Sequence, residues 1–302
     1  MYFFNYNLKN ISFFYNLSLP IYTKNDIIMK TIKITYERRQ VIMNYFISAG
    51  GFPAKYHMNL SGGILLKHDS YMNEERHCEE DMVMAIVVDE LCNNANTAFI
   101  SDMIYDVFSD WYEMALESVN DGLSPHLVAD IWDKILNEVN EIIYNEMMNG
   151  KDEMGAAFTG MFIKGDKYMI MNVGINQVFY VKDECRALNE QQWTECTDEP
   201  DTEVSLSIGC CKELKPDVIF GYAEEGLYVI SSSFDLNIGM EEEDEELAGL
   251  YLKSEEGYDE VMRDLLQEVE QYIYEKEEVS NDNMVILIKA VNGMKEPEGY
   301  LS

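Results

Sequence analysis

Residues 156–184 read AAFTGMFIKGDKYMIMNVGINQVFYVKDE. Apolar and β-branched residues fill three short runs, separated by Gly165-Asp166 and by Gly174, so the stretch predicts strand, tight turn, strand, turn, strand. Upstream lies a different pattern. In NNANTAFISDMIYDVFSDWYEMALESV the residues Phe99, Met103, Ile104, Val107, Phe108 and Trp111 recur at helical spacing, and a second helix is expected over 125–149. Its apolar positions are Leu127, Ile131, Ile135, Val139, Ile142 and Ile143, and Pro125 stands at its start, where a proline is tolerated. Trp111 and Trp132 are expected in the core.

Further out, MVMAIVVDEL (82–91) and NMVILIKAV (283–291) are continuous apolar runs that suit fully buried strands. Residues 218–233, VIFGYAEEGLYVISSS, read as two strands about an Ala-Glu-Glu-Gly turn, and Gly50-Gly51 and Gly62-Gly63 read as turns. A long helix is expected from Glu255 to Glu277, and the acidic run 241–246 reads as a solvated loop. Helices segregated from hairpins make the class α+β with a layered antiparallel core. One domain covers 43–293, between a poorly ordered leader (1–42) and a tail (294–302). The leader is aromatic and rich in asparagine, and Met29 or Met43 would serve as an alternative start.

The chain has 302 residues, with 56 acidic against 22 basic side chains and a formal net charge of −34. Nucleic acid is excluded as a partner, since its affinity comes from Lys and Arg neutralising phosphates, and an anionic membrane is disfavoured for the same reason. Disorder does not follow, because 47% of residues are apolar. Six cysteines (78, 92, 185, 196, 210 and 211) show no CxxC spacing and read as reduced thiols in a cytoplasmic protein. A zinc site near His77 and Cys78 is a minor alternative. Nineteen methionines read as flexible core filler.

Carboxylates fall at strand ends: Asp89 closes a buried run, Asp282 precedes the last one, and Glu74 and Glu75 precede the first. Such groups hold hard cations such as magnesium or manganese, which want oxygen ligands.

Four stretches, in order, resemble the metal-dependent type 2C (PPM-type) serine/threonine protein phosphatases over residues 43–291. MNEERHCEEDMVMAIVVDELCNNANTAFISDMI is similar to the family's Asn-Glu-Asp, apolar strand and Asp-Gly region. MGAAFTGMFIKGDKYMIMNVGINQVFYVKDE is similar to its Asn-Val-Gly-Asp-Ser-Arg region, LYVISSSFDL to its Ser-Asp-Gly segment, and SNDNMVILIKA to its closing Asp-Asn. The resemblance implies an α-β-β-α sandwich of two antiparallel sheets flanked by helices. It also implies two manganese or magnesium ions activating a water that attacks a phosphoserine or phosphothreonine.

Carried over by position, Asp89 matches the bridging aspartate. Glu90 takes the place of the glycine whose carbonyl is a ligand, and its charged side chain would crowd the metal mouth. Asp282 with Asn283 matches the closing motif, Glu74 the first-motif glutamate, and Glu75 stands where aspartate is expected. The metal set implied is thus Asp89, Glu90, Asp282 and Glu75. Departures accompany it. Ser233 and Phe234 replace a metal Asp-Gly, with Asp235 two residues on. Ile175 and Gln177 replace an aspartate and an arginine, and Cys92-Asn93-Asn94 replaces Gly-Gly-His. The phosphate-gripping arginine falls near Ser70, with Lys67, His68 or Arg76 close by. The expectation is a degenerate phosphatase-like domain, catalytically impaired, that works as a regulatory or binding module for a basic or phosphorylated protein partner. The alternative is an active metal-dependent phosphatase holding one ion.

Overall fold

In a computed structural model, residues 42–52, 62–90, 98–120, 122–149, 155–195, 203–232, 262–268 and 283–293 are described. The leader before residue 42 and the tail after 293 lie outside these. Strands β1 (Ile42–Phe52), β2 (Gly62–Asn73) and β3 (Cys78–Glu90) come first, followed by helices α1 (Ala98–Glu117) and α2 (Pro125–Met148). Then come β4 (Ala156–Lys164), β5 (Lys167–Val173), β6 (Gln177–Val181), β7 (Cys185–Ala187), β8 (Trp193–Glu195), β9 (Glu203–Ser205), β10 (Asp217–Tyr222), β11 (Gly226–Ser231) and β12 (Asn283–Gly293). They form one five-stranded sheet in the order β10-β5-β4-β3-β2 and a second in the order β1-β12-β11-β6-β7, beside a small β8-β9 pair. Every described pairing is antiparallel.

Alternation along β3 explains the layering. Val83, Ala85 and Val87 enter the core between the sheets with Met161, Ile163, Ile170, Ile286 and Ile288. Met82, Met84, Ile86 and Val88 point to the opposite face and are also fully buried. That face lies under α1 and α2, where Trp132 meets Phe108 edge-on at 5.0 Å and Tyr112 donates its hydroxyl to the Met82 carbonyl. A strand covered on both faces needs no polar side, so the run 82–88 is apolar throughout. On the outer face of the second sheet, Met262 and Leu265 pack on Phe179, Val181, Leu227 and Leu287. Residues 262–268 are helical, inside the span expected for the long helix; the rest of that span lies outside the described residues. The result is the α-β-β-α sandwich.

Several expectations need correction. Gly50-Gly51 lies within β1 and Gly62-Gly63 opens β2, so neither pair is a turn. The Ala-Glu-Glu-Gly turn does not close a hairpin, because β10 and β11 belong to different sheets. The buried stripe of α2 runs through Val128, Trp132, Ile135, Leu136, Val139 and Ile143, leaving Ile142 43% exposed. The helix is therefore rolled away from the Ile131–Ile142 side. Ser124 caps it by accepting from the Leu127 amide, and Pro125 fills the first turn.

Candidate functional site

Strand ends from both sheets meet around Asp89. In the helix-covered sheet Asp89 lies between Gly62 and Ala157. In the other, Phe52 pairs with Asn283, and Ser231 sits between Val285 and Gln177. Gly62 joins the two layers: a Cβ placed there would stand 2.9 Å from Met284 Cε and 2.2 Å from the Val88 carbonyl. With φ at +143°, that backbone is one glycine adopts readily and other residues do not.

Asp89 is half-buried and shares the inter-sheet side of β3 with Val87. Glu90, one residue on, points the other way. Its carboxylate accepts from the Ser101 amide at 2.9 Å and the Ser101 hydroxyl at 2.7 Å, so it anchors the start of α1. Burial pushes its pKa up against the pull of those hydrogen bonds. The expected crowding of the metal mouth by this side chain is therefore wrong: pleating sends it to the helix face. Its backbone carbonyl remains beside Asp89.

Glu75 cannot join Asp89. Together with Glu74 it sits in the turn joining β2 to β3, and Asn73 pairs with Cys78 at that turn while Gly62 pairs with Asp89 at the far end of the hairpin. Along the eleven residues separating Cys78 from Asp89, the two ends stand on the order of 35 Å apart. Residues 53–61, PAKYHMNLS, which precede β2 in sequence and lie outside the described residues, carry no carboxylate. The proposed phosphate-gripping residues are likewise elsewhere. Ser70 and His68 pair with Asp81, Lys67 with Glu113, and Arg76 with Glu80 and Asp166. Asp282, Ser233, Phe234, Asp235 and Cys92-Asn93-Asn94 lie outside the described residues.

Among the described residues of this end, serine, threonine and asparagine side chains accompany the Asp89 and Glu90 carboxylates. Ser232 accepts from the Met284 amide and holds β12 to β11. Asn172 accepts from Thr159 at 2.5 Å and donates to the carbonyls of Gly174 and Glu190. Asn189 accepts from the Val178 amide and donates to the Asn176 carbonyl. These amides brace the loop that carries the chain from β5 in one sheet to β6 in the other. The Asn176 side chain is 1% exposed, and neither of its polar atoms has a hydrogen-bond partner among the described residues. The residue pattern had marked this loop only as a departure at Ile175 and Gln177; Asn172 lay in the quoted Asn-Val-Gly motif, while Asn176 and Asn189 had no signal.

Two divalent ions need several carboxylate oxygens converging on one point. Among the described residues no three His, Cys, Asp or Glu side chains gather in that way. The described donor set here, one aspartate among amides and hydroxyls, does not fit a two-ion clamp.

The opposite end of the sandwich carries the charge network. Glu80, 5% exposed, accepts from Tyr71, Asn73 and Arg76, and Arg76 reaches on to Asp166 at 3.3 Å. Burial works to raise the Glu80 pKa, and the Asn73 and Tyr71 hydrogen bonds with the Arg76 charge outweigh it, leaving it below the usual value. Asp81 is held low by His68, Ser70 and the Tyr45 amide, again against burial. A cavity of about 270 Å³ opens beside Arg76. Two of the cations lining it are engaged, Arg76 as above and Lys164, which donates to the carbonyls of Val119 and Leu123 and so ties the α1–α2 connection to β4; Lys167 also lines it.

No family profile and no curated protein matches the chain. Solved structures do. The S. agalactiae serine/threonine phosphatase superposes with a TM-score of 0.59 at 18% identity, covering 82% of this chain and 99% of that one. Serine/threonine phosphatase Stp1 from Staphylococcus aureus gives 0.55 at 12%, over 90% and 100%. The catalytic domain of the phosphatase PstP, in complex with two manganese ions, gives 0.54 at 14%, over 83% and 100%. The fold is that of the type 2C serine/threonine phosphatases.

Proposed function

We propose that this chain uses a type 2C phosphatase fold as a binding module for a basic protein partner, with its hydrolytic centre degenerate. The observation that carries this reading is the described set around Asp89, in which no three His, Cys, Asp or Glu side chains converge. Serine and asparagine side chains there are spent on bracing backbone, and Glu90 is spent on α1. Amides and hydroxyls bind divalent ions more weakly than carboxylates do. A net charge of −34 favours a basic partner, because complementary fields steer association.

One observation favours a second reading. Asp89 and the Glu90 carbonyl stand at one strand end, and Asp282 directly precedes Asn283, which opens β12 in the adjoining sheet. These groups would hold one manganese or magnesium ion, as the two-manganese complex of PstP encourages for the fold. Such an ion lowers the pKa of a bound water and offsets charge on a phosphoryl group. Hydrolysis of a phosphothreonine peptide with millimolar manganese, wild type beside Asp89→Asn, separates the readings. The module predicts no turnover above the variant; manganese-dependent turnover abolished by Asp89→Asn overturns it.

A further inference from the structure

The connection from β9 to β10 carries two neighbouring cysteines, Cys210 and Cys211, on a turn that the fold holds from two sides. On one side Ile208 bridges to Ala156 at the start of β4, its amide donating to the Ala156 carbonyl at 2.9 Å. On the other, Asn140, fully buried on α2, accepts from the Gly209 amide at 2.7 Å and donates to the Cys211 carbonyl at 2.9 Å. One turn earlier on the helix, Asn137 accepts from the Leu214 amide. Gly209 takes a φ of +95°, which favours glycine, and the Cys210 amide closes the turn on the Ser207 carbonyl. The backbone that presents the two thiols is therefore fixed before any ligand arrives.

Both thiols are free, Cys210 exposed and Cys211 partly so. The Ser207 amide donates to Cys210 Sγ at 3.4 Å, and Cys211 Sγ donates to the Glu213 carbonyl at 3.3 Å. Burial, and then the Cys210 thiol beside it, push the Cys211 thiol up to about 11. The two sulfurs thus feel each other, and at neutral pH Cys211 keeps its proton. They are poorly placed to join directly. Neighbouring Cα atoms stand about 3.8 Å apart, whereas a disulfide wants them about 4.4 to 6.8 Å apart. An atom inserted between the sulfurs enlarges the ring and removes that conflict. Zinc is not that atom: it takes at least three protein ligands, and among the described residues no three His, Cys, Asp or Glu side chains gather. A soft cation would also have to drive protons off the pair, because the thiolate is the form that binds metal. Trivalent arsenic bound to oxygen meets neither obstacle. It is neutral, so the surrounding charges do not select against it. Two sulfurs suffice to hold it, and its oxygen carries the thiol protons away as water.

We propose that Cys210 and Cys211 form a dithiol site that captures a trivalent arsenical. With a monosubstituted arsenic oxide, R–As=O, both S–H bonds and the As=O bond break, two As–S bonds form, and the two protons leave with the oxygen as one water. Sulfur and arsenic keep their oxidation states, so the step needs no oxidant or reductant. The inference does not rest on the binding-module reading, since neither Asp89 nor a protein partner enters it.

The test uses the reduced full chain and phenylarsine oxide with millimolar glutathione present, which strips arsenic from single thiols but competes poorly with a chelating pair. Intact mass is expected to show one phenylarsenic group per chain, with two thiols lost to Ellman's reagent. Peptide mapping should place the group on the segment bearing Cys210 and Cys211, and dimercaptopropanol should remove it. Cys210→Ser and Cys211→Ser should each weaken capture about a hundredfold, because the second As–S bond must then come from a separate molecule. Cys185→Ser is the control and should leave capture within about twofold of wild type. A thermal melt verifies that each variant folds, and the mapping on wild type stands without any variant. No adduct on wild type under glutathione overturns the inference, as does an adduct on other cysteines or one that survives both serine changes. A disulfide between Cys210 and Cys211 in air-exposed protein overturns it too and assigns the pair a redox role. Arsenite in a parallel titration separates the ligand classes. Capture of both reagents assigns the site to trivalent arsenic in general, and capture of phenylarsine oxide alone assigns it to organic arsenicals.

Discussion

The two ends of the sandwich contrast in how they use polar residues. At the hairpin end, a buried glutamate, an arginine and a second carboxylate are joined in one network with Tyr71 and Asn73, and every one of these groups has a partner. At the Asp89 end, the described buried groups are amides and hydroxyls beside one carboxylate, Glu90, and one of the amides, Asn176, is unpartnered among the described residues. Fully satisfied charge is a stabilising device when its partners stay in place.

The sharpest way to break this contrast is at Arg76. Arg76→Ala leaves Glu80 buried without its cation and should cost about 3 kcal/mol in urea unfolding. A loss below about 1 kcal/mol would mean that the Tyr71 and Asn73 bonds suffice. Next in size is Gly62→Ala at the other end. The new methyl meets the Val88 carbonyl at a backbone angle that side chains rarely adopt, and a loss of about 2 kcal/mol is expected.

Opposite in sign, Asn176→Leu removes an unsatisfied buried amide and should raise stability by about 1 kcal/mol. A drop would show that Asn176 has a bonding partner after all. The smallest effect is a pH dependence. Glu80 and Asp81 have lowered pKa values, so their stabilisation is present above the ordinary carboxylate range and is lost as pH falls through their folded values. Glu90 is raised, so its contribution is fully present below the unfolded value and is lost as pH rises through the folded one. Glu90→Gln can still accept from Ser101, and its melting temperature relative to wild type should rise as pH goes from acid to neutral. A difference that stays flat with pH would put the Glu90 charge in a better solvated place than its burial implies.

Much of the fold was legible locally. The run 156–184 resolves into β4, β5 and β6 with turns at Gly165-Asp166 and Gly174, because alternation and glycine placement act over a few residues. Sheet membership was not legible. The β4–β5 turn makes a hairpin, whereas the β5–β6 and β10–β11 connections cross between sheets, and nothing in INQV or AEEG distinguishes them. The site was legible only in part. Asp89 stands at a strand end, as its position after an apolar run suggested. Glu75 failed because β2 and β3 form one long hairpin, placing adjacent sequence motifs at opposite ends of the molecule.

By itself the sequence determined the α+β class, the strand-and-helix order and the strongly acidic character, since periodicity and composition are properties of neighbouring residues. Only the tertiary structure decided which strand ends meet. It turned Glu90 onto Ser101, committed Arg76 and His68 to carboxylates far from Asp89, and set β10 and β11 in different sheets. Those outcomes depend on register and on the pairing of distant strands, where a shift of one residue reverses the face of every side chain.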